Sequence, residues 1–299
     1  MVSDKSPLFV GGCERSGTSL VRALLGSHSD VAFLEHDIPL WRLWYRSVGH
    51  HVKGDEAQVR QFVDALLRNE KFRKSLIGRE ASLDDRLRDC GLTLTDLAET
   101  LGGMYAQLRN KPRWGLKVPY AEFRHDLISA AFPEASFIHV MRHPCDVAAS
   151  MQSAPWVKTT LPTWVRTWRL SARQAIQRRG RPAYVVVRYE DLIREPATTV
   201  RSVADAVGLT YEPSMLDMAD HPGWSGHNSF FGNMEPGVSR TAMERGASLD
   251  PADRWLVDRW TSPERRALGY KTHPPSIPLR DRARGAARLA RELVGRRGT

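Results

Sequence analysis

The chain has 299 residues, 41% hydrophobic and 26% charged, proportions that fit one large globular domain and exclude a disordered chain. No apolar run approaches the roughly 20 residues needed to cross a bilayer, and residues 1–7 lack the hydrophobic stretch of a secretory signal. The net charge of +10 is uneven: residues 280–299 carry seven arginines against Asp281 and Glu292, half of the excess, and the mildly basic remainder suits a small anionic ligand better than a nucleic-acid surface.

Leu8-Phe9-Val10-Gly11-Gly12 is a short apolar run ending in glycines, the pattern of a buried strand entering a tight loop. Residues 18–27 follow as a helix with Leu20, Ala23, Leu24 and Ser27 on one face, and residues 31–34 as a second strand that ends at Glu35-His36-Asp37. From about 39 to 110 the chain reads as a mainly helical insertion, including 55–69 and 95–109, polar on its outer faces and able to house a substrate pocket. Three further strands are expected at 113–118, 136–141 and 183–188, with helices at 122–131, 145–153, 163–179 and 198–207. This alternation predicts an α/β fold with a central parallel sheet covered by helices on both faces.

Residues 221–237, with four glycines and two prolines, read as a long surface loop. The tail has a weak apolar stripe at Leu279, Ala283, Ala286, Ala290 and Leu293, which predicts a solvated or docked helix with at most peripheral membrane contact. One domain over 1–275 followed by a basic tail over 276–299 is the resulting division. Cys13, Cys90 and Cys145 form no CxxC pair, which points to a reducing, cytoplasmic compartment.

The strongest chemical signal is Gly12-Cys13-Glu14-Arg15-Ser16-Gly17-Thr18-Ser19, set between a strand and a helix. Glycines there let backbone N–H groups turn inward around a phosphate, and the helix directs its positive end at the same anion. The nucleoside-triphosphate pattern G-x-x-x-x-G-K-[ST] is held at Gly12, Gly17 and Ser19, but Thr18 replaces its lysine. A loop of hydroxyls, amides and one arginine, Arg15, suits a single 5′-phosphate and needs no metal. A second anion site is read at Arg142, which follows the strand at 136–141. Ser150 lies two helical turns further on, and a planar guanidinium beside a serine hydroxyl can hold a second phosphate.

The run from Pro7 to Leu20, with His28-Ser29-Asp30-Val31, resembles the 5′-phosphosulfate loop of sulfotransferases that use 3′-phosphoadenosine-5′-phosphosulfate (PAPS). It is most similar to the protein-tyrosine sulfotransferases and related bacterial enzymes. Phe137-Ile138-His139-Val140-Met141-Arg142-His143-Pro144 with Ser150 is similar to that family's 3′-phosphate motif, and Arg188-Tyr189-Glu190-Asp191-Leu192 resembles a further family segment. Leu116-Lys117-Val118-Pro119 falls where those enzymes carry a sulfate-contacting lysine. The resemblance implies a P-loop-like three-layer α/β fold with helical insertions, PAPS as co-substrate and no metal. It places Gly12, Ser16, Gly17, Thr18 and Ser19 on the 5′-phosphate, Arg142 and Ser150 on the 3′-phosphate, Tyr189 on the adenosine, and Arg245 near a basic position that closes over the 3′-phosphate.

Sulfuryl transfer needs a base for the acceptor proton, a cation for the leaving phosphate and another for the sulfuryl oxygens. Arg15 is placed for the leaving group and Lys117 for the sulfuryl oxygens. The base is Glu35, the position the family keeps acidic, or its neighbour His36, with His227 an outside candidate. His50-His51 cannot converge on one ion from a helix, and Cys13 reads as a small packing residue. Nine tryptophans, including Trp41, Trp44, Trp156, Trp164 and Trp168, fit either a core or an aromatic-walled pocket. The lack of a signal anchor favours a small molecule or glycolipid as acceptor over a secretory-pathway protein. Two rivals remain open at this level. One is a magnesium-dependent kinase or NTPase with a degenerate loop, and the other is a non-catalytic protein that binds anions or membranes through its tail.

Overall fold

The computed structural model describes residues 6–34, 40–118, 120–154, 159–217, 243–270 and 277–295. In chain order, β1 (Leu8–Gly11) leads through α1 (Thr18–Gly26) to β2 (Val31–Phe33). Helices α2 (Leu40–Ser47), α3 (Glu56–Leu67), α4 (Glu70–Lys74), α5 (Leu83–Asp89) and α6 (Leu94–Leu108) follow. Next come β3 (Arg113–Lys117), α7 (His125–Ala131), β4 (Ser136–Met141), α8 (Pro144–Gln152), α9 (Leu161–Arg178) and β5 (Tyr184–Arg188). Four more helices complete the described chain: α10 (Tyr189–Arg194), α11 (Pro196–Ala206), α12 (Pro251–Ala267) and α13 (Leu279–Gly295).

All five strands pair in parallel in the order β2-β3-β1-β4-β5. Strand alternation splits their side chains between two cores. Leu8, Val10, Val31, Phe33, Ile138 and Val140 face α1, α10 and α11. Phe9, Ala32, Trp114, Leu116 and Phe137 face the opposite way, onto Trp44, Phe62 and Leu97 of the helical block and Ile128 of α7. A sheet buried on both faces makes each strand apolar along its whole length, which is why short runs such as Leu8-Phe9-Val10 were readable as strands. A third cluster joins Met141 to α8, α9 and α12 through Val147, Trp168 and Leu256.

The expected three-layer α/β arrangement is therefore present. The chain builds β2 and β3 on one side of β1 and then crosses to build β4 and β5 on the other. The loops after β1 and β4 thus meet at the carboxyl end of the sheet, the position where open parallel sheets bind ligands.

Several local readings differ. Residues 122–131 are not one helix: a short 3-10 turn (Ala121–Arg124) precedes α7 and is entered through Tyr120 at φ +57°. The sequence pattern also gave no sign of α10 or α12. In α12, Pro263 lies inside the helix and charged residues dilute the apolar face. The C-terminal helix forms, but with its faces exchanged. Leu279 is 81% exposed and Ala283, Ala286 and Ala290 face solvent, while Asp281 and Gly285 are buried against α12. On the inward side Gly285 lies on Trp255 and Leu289 packs against the third cluster, while Arg284 meets Asp250 at 3.4 Å and Arg288 bonds Asp253 at the edge. Trp41, Trp44, Trp164 and Trp168 are all core residues, whereas Trp156 and the loop at 221–237 lie outside the described residues. Among the described residues no helix is long and apolar enough to cross a membrane.

Candidate active site

The loop after β1 is shaped by positions that admit no side chain. Gly12 has φ +143°, and a Cβ there would lie 2.4 Å from the Val140 carbonyl oxygen. Gly17 has φ +99°, and its Cβ would lie 2.3 Å from Cδ2 of Tyr189. Both turns are in the left-handed region that glycine adopts without steric cost. Arg15 sits there as well, at φ +66°, a strain of the kind that accumulates at binding loops. The Ser16 N–H donates to the Cys13 carbonyl at 3.2 Å. Ser16 is fully buried, and its Oγ has no hydrogen-bond partner among the described residues. Gly17 begins α1 without a side-chain cap, so the first amides of the helix, at Thr18 and Ser19, are left to the loop interior. Burial pushes the Cys13 thiol up, with Glu122 and Glu14 adding to the effect, so it stays a neutral packing group.

The strand end at β4 delivers the second set of groups. Arg142 is 4% exposed; its Nη1 donates to the Arg15 carbonyl at 3.0 Å, and its guanidinium lies 4.6 Å from the centroid of the Tyr189 ring. Arg15 Nε donates to Ser150 Oγ at 3.1 Å, so the loop arginine turns toward α8 and links Arg142 to Ser150. Two contacts fix the backbone beneath: Trp168 Nε1 donates to the Arg142 carbonyl at 3.0 Å, and the His143 N–H donates to Glu190 Oε1 at 2.7 Å. Burial lowers the pKa of Arg15, and the neighbouring charges of Arg142 and then Arg245 lower it further. Arg142 is likewise lowered by burial, with Arg245 adding to the effect against the opposing Tyr189, Asp146 and Glu190. Three guanidinium groups that repel one another inside a partly desolvated pocket form a site that an anion would stabilise.

Of the residues singled out from sequence, Gly12, Arg15, Ser16, Gly17, Thr18, Ser19, Arg142, Ser150, Tyr189 and Arg245 thus gather at one end of the sheet. Tyr189 is more than a strand-end aromatic: it is the first residue of α10, and its ring forms the wall behind Gly17. Lys117 ends β3 in register with Val10. The Val118 N–H donates to the Val10 carbonyl at 2.9 Å and the Tyr120 N–H to the Gly12 carbonyl at 3.4 Å, tying that strand end to the loop. Glu35 and His36 follow Leu34 in the chain and lie outside the described residues, as does His227.

Three buried acids around the loop and the β4 strand end had no role assigned from sequence: Glu122, Asp146 and Glu190. Each sits in the first turn of a helix or 3-10 turn, where an acidic residue is ordinarily a solvated partner of the helix dipole, so the sequence offers no signal to separate them. Glu122 lies under the phosphate loop, with burial raising its pKa and bonds from Ser171 and the Gly12 amide opposing that rise. Ser171 Oγ donates to Glu122 Oε1 at 2.6 Å, His139 Nε2 lies 3.0 Å from Ser171 Oγ, and His139 Nδ1 lies 2.7 Å from the Tyr184 hydroxyl. With the Ser171 hydroxyl donating to Glu122, Nε2 carries the imidazole proton and donates to Ser171 Oγ, and Nδ1 accepts from Tyr184, giving a directed chain of donors.

Burial, followed by Arg178 and His125, pushes the His139 imidazole down to about 3. Its unfolded value is near 6.5, so between those limits the unfolded state takes up a proton that the folded state refuses, and stability falls as pH drops through the window. His143, held at about 4 chiefly by burial, acts with the same sign, and Glu122, raised by burial, acts with the opposite sign. The urea midpoint is expected to fall less steeply between pH 6.5 and 4 in His139→Gln than in wild type. Equal slopes would show that His139 does not carry this acid sensitivity.

A model of the sulfotransferase family matches residues 7–213, a stretch that includes the loop, Arg142, Ser150 and Tyr189. The chain belongs to the sulfotransferase family. Arg245 lies beyond the matched stretch. Curated sulfotransferases similar to the chain include protein-tyrosine sulfotransferase 2 of Gallus gallus, 24% identical over 97% of this chain and 70% of the relative. Protein-tyrosine sulfotransferase 1 of Danio rerio is 24% identical over 91% and 75%. Among solved structures, the sulfotransferase domain from the curacin biosynthetic pathway shares the fold at TM-score 0.63 and 18% identity, covering 90% of this chain and 99% of that one. The sulfotransferase domain from the Synechococcus PCC 7002 olefin synthase does so at TM-score 0.54 and 21% identity, covering 97% and 98%. The membership expected from the loop and strand-end motifs, and the P-loop-like fold it implied, are both borne out.

Proposed function

We propose that this sulfotransferase moves the sulfuryl group of PAPS onto a hydroxyl of a small molecule or glycolipid. The observation that carries the reading is the meeting of Arg142, Arg15 and Ser150, hydrogen-bonded in series, at a glycine-shaped loop whose buried Ser16 hydroxyl has no partner among the described residues. These groups fit a nucleotide bearing two separate anionic ends. Ser16, Thr18, Ser19 and the amides after Gly12 and Gly17 would hold the 5′-phosphate, Arg142 with Ser150 and Arg245 the 3′-phosphate, and Tyr189 the adenosine. Bound PAPS supplies the activated sulfuryl group. Arg15 would answer the charge on the leaving phosphate, Lys117 the charge on the sulfuryl oxygens, and Glu35, ahead of His36, would take the acceptor's proton.

The free Cys13, Cys90 and Cys145 support a reducing, cytoplasmic setting, and a single domain over 1–275 with 276–299 as an appended tail remains our division of the chain.

Calorimetric titration tests the donor. Adenosine-3′,5′-bisphosphate (PAP) is expected to bind without added metal and in preference to ATP. Preference for ATP with magnesium, or no nucleotide binding, would sink the reading.

A further inference from the structure

No strand positions Arg245. It opens a short 3-10 turn (Arg245–Ser248) reached only after α11 and far along the chain from Arg142. One carboxylate holds that turn. Asp146 Oδ1 accepts the Gly246 N–H at 2.7 Å, and Oδ2 accepts the Glu244 N–H at 3.2 Å, so the same side chain grips the backbone on both sides of Arg245. Asp146 is 6% exposed and sits in the first turn of α8, four residues after Arg142. Gly246 lies flat on that helix: a Cβ there would come within 2.5 Å of Cys145 Cβ. Glu244 enters the turn at φ +64°, a conformation that a non-glycine residue keeps only when its surroundings enforce it. Arg245 consequently lies within electrostatic reach of Arg15 and Arg142.

We infer that Asp146 is a positioning residue whose carboxylate clamps the Glu244–Gly246 backbone and so aims Arg245 at the 3′-phosphate beside Arg142 and Ser150. Its oxygens accept two backbone amides, and because its charge also acts on Arg142, Gly246→Ala, which leaves that charge in place, isolates the part played by the turn. Two attachment points on one rigid helix fix the turn before a ligand arrives, which reduces the ordering cost of binding. The inference rests on the donor-site reading above.

The test compares PAP with adenosine 5′-monophosphate, which lacks only the 3′-phosphate, by calorimetry on the full chain. The ratio of the two affinities reports the 3′-phosphate grip, and a partly unfolded sample changes the stoichiometry without changing that ratio. Asp146→Ala is expected to lower the ratio about tenfold or more, Arg245→Ala by a similar factor, and the double variant little beyond either. Gly246→Ala, which pushes the turn off α8 while leaving both carboxylate and guanidinium in place, is expected to give the same loss. An unchanged ratio in Asp146→Ala and Gly246→Ala, or losses that multiply in the double variant, overturns the positioning role. A wild type indifferent to the 3′-phosphate overturns the donor reading itself.

Discussion

Arg142→Ala is expected to weaken PAP binding by about a hundredfold. A charge-assisted hydrogen bond contributes about 1.5–3 kcal/mol, the upper end of which is about a hundredfold in affinity. Arg142 is also buried, bonded to the Arg15 carbonyl and stacked on Tyr189, so it is already held in place before the ligand arrives. Its removal would also loosen the Arg15 backbone, which occupies a strained conformation in the middle of the loop. Arg142→Lys keeps the charge but loses both the planar fork and the stacking surface, and should fall between wild type and alanine. The measurement is a calorimetric titration of each variant with PAP. An alanine variant within about threefold of wild type would remove Arg142 from the phosphate site.

The largest effect on stability is expected from Trp168→Ala, at about 3–5 kcal/mol in urea unfolding. Trp168 is fully buried in the cluster that joins α9 to α8 and α12, and its indole N–H satisfies the Arg142 carbonyl. Alanine removes both the packing volume and the donor. Trp168→Phe keeps most of the volume and should cost about 1–3 kcal/mol for the unpaired carbonyl. Both variants should also lower PAP affinity, because that carbonyl fixes the strand end from which Arg142 projects. A loss below about 1 kcal/mol for alanine would contradict the packing of α9 described above.

How much of this was legible depended on which force set each feature. The sheet was legible because its strands are buried on both faces and therefore read as unbroken apolar runs, with β4 expected and found at residues 136–141. The loop was legible because Gly12 and Gly17 mark backbone conformations that other residues avoid. Polar contacts between distant segments were not legible. Asp146 meets the amides of Glu244 and Gly246, and Glu190 meets His143, through pairings that no local periodicity encodes. The tail shows the same limit. Its stripe of Leu279 and alanines faces solvent, and the face that docks carries Asp281, Gly285 and Leu289, with arginine–aspartate contacts to Asp250 and Asp253 beside it. The expected direction of Arg15 also rested on the loop alone, whereas its hydrogen bond to Ser150 depends on α8.

The parallel order of the sheet has a consequence for how the molecule comes into being. β1 precedes the other four strands of the sheet in the chain, yet Leu8 finds its ladder neighbours only at Gly115 and Ser136, so this strand waits for more than a hundred further residues to be made. The loop after β1 has no wall until Tyr189 arrives and no third guanidinium until Arg245 does. Contacts of such sequence separation are slow to close and leave apolar strands uncovered meanwhile. The candidate nucleotide site is thus among the last features to be completed, and a chain interrupted before α10 carries the loop's sequence without the surroundings that make it a loop.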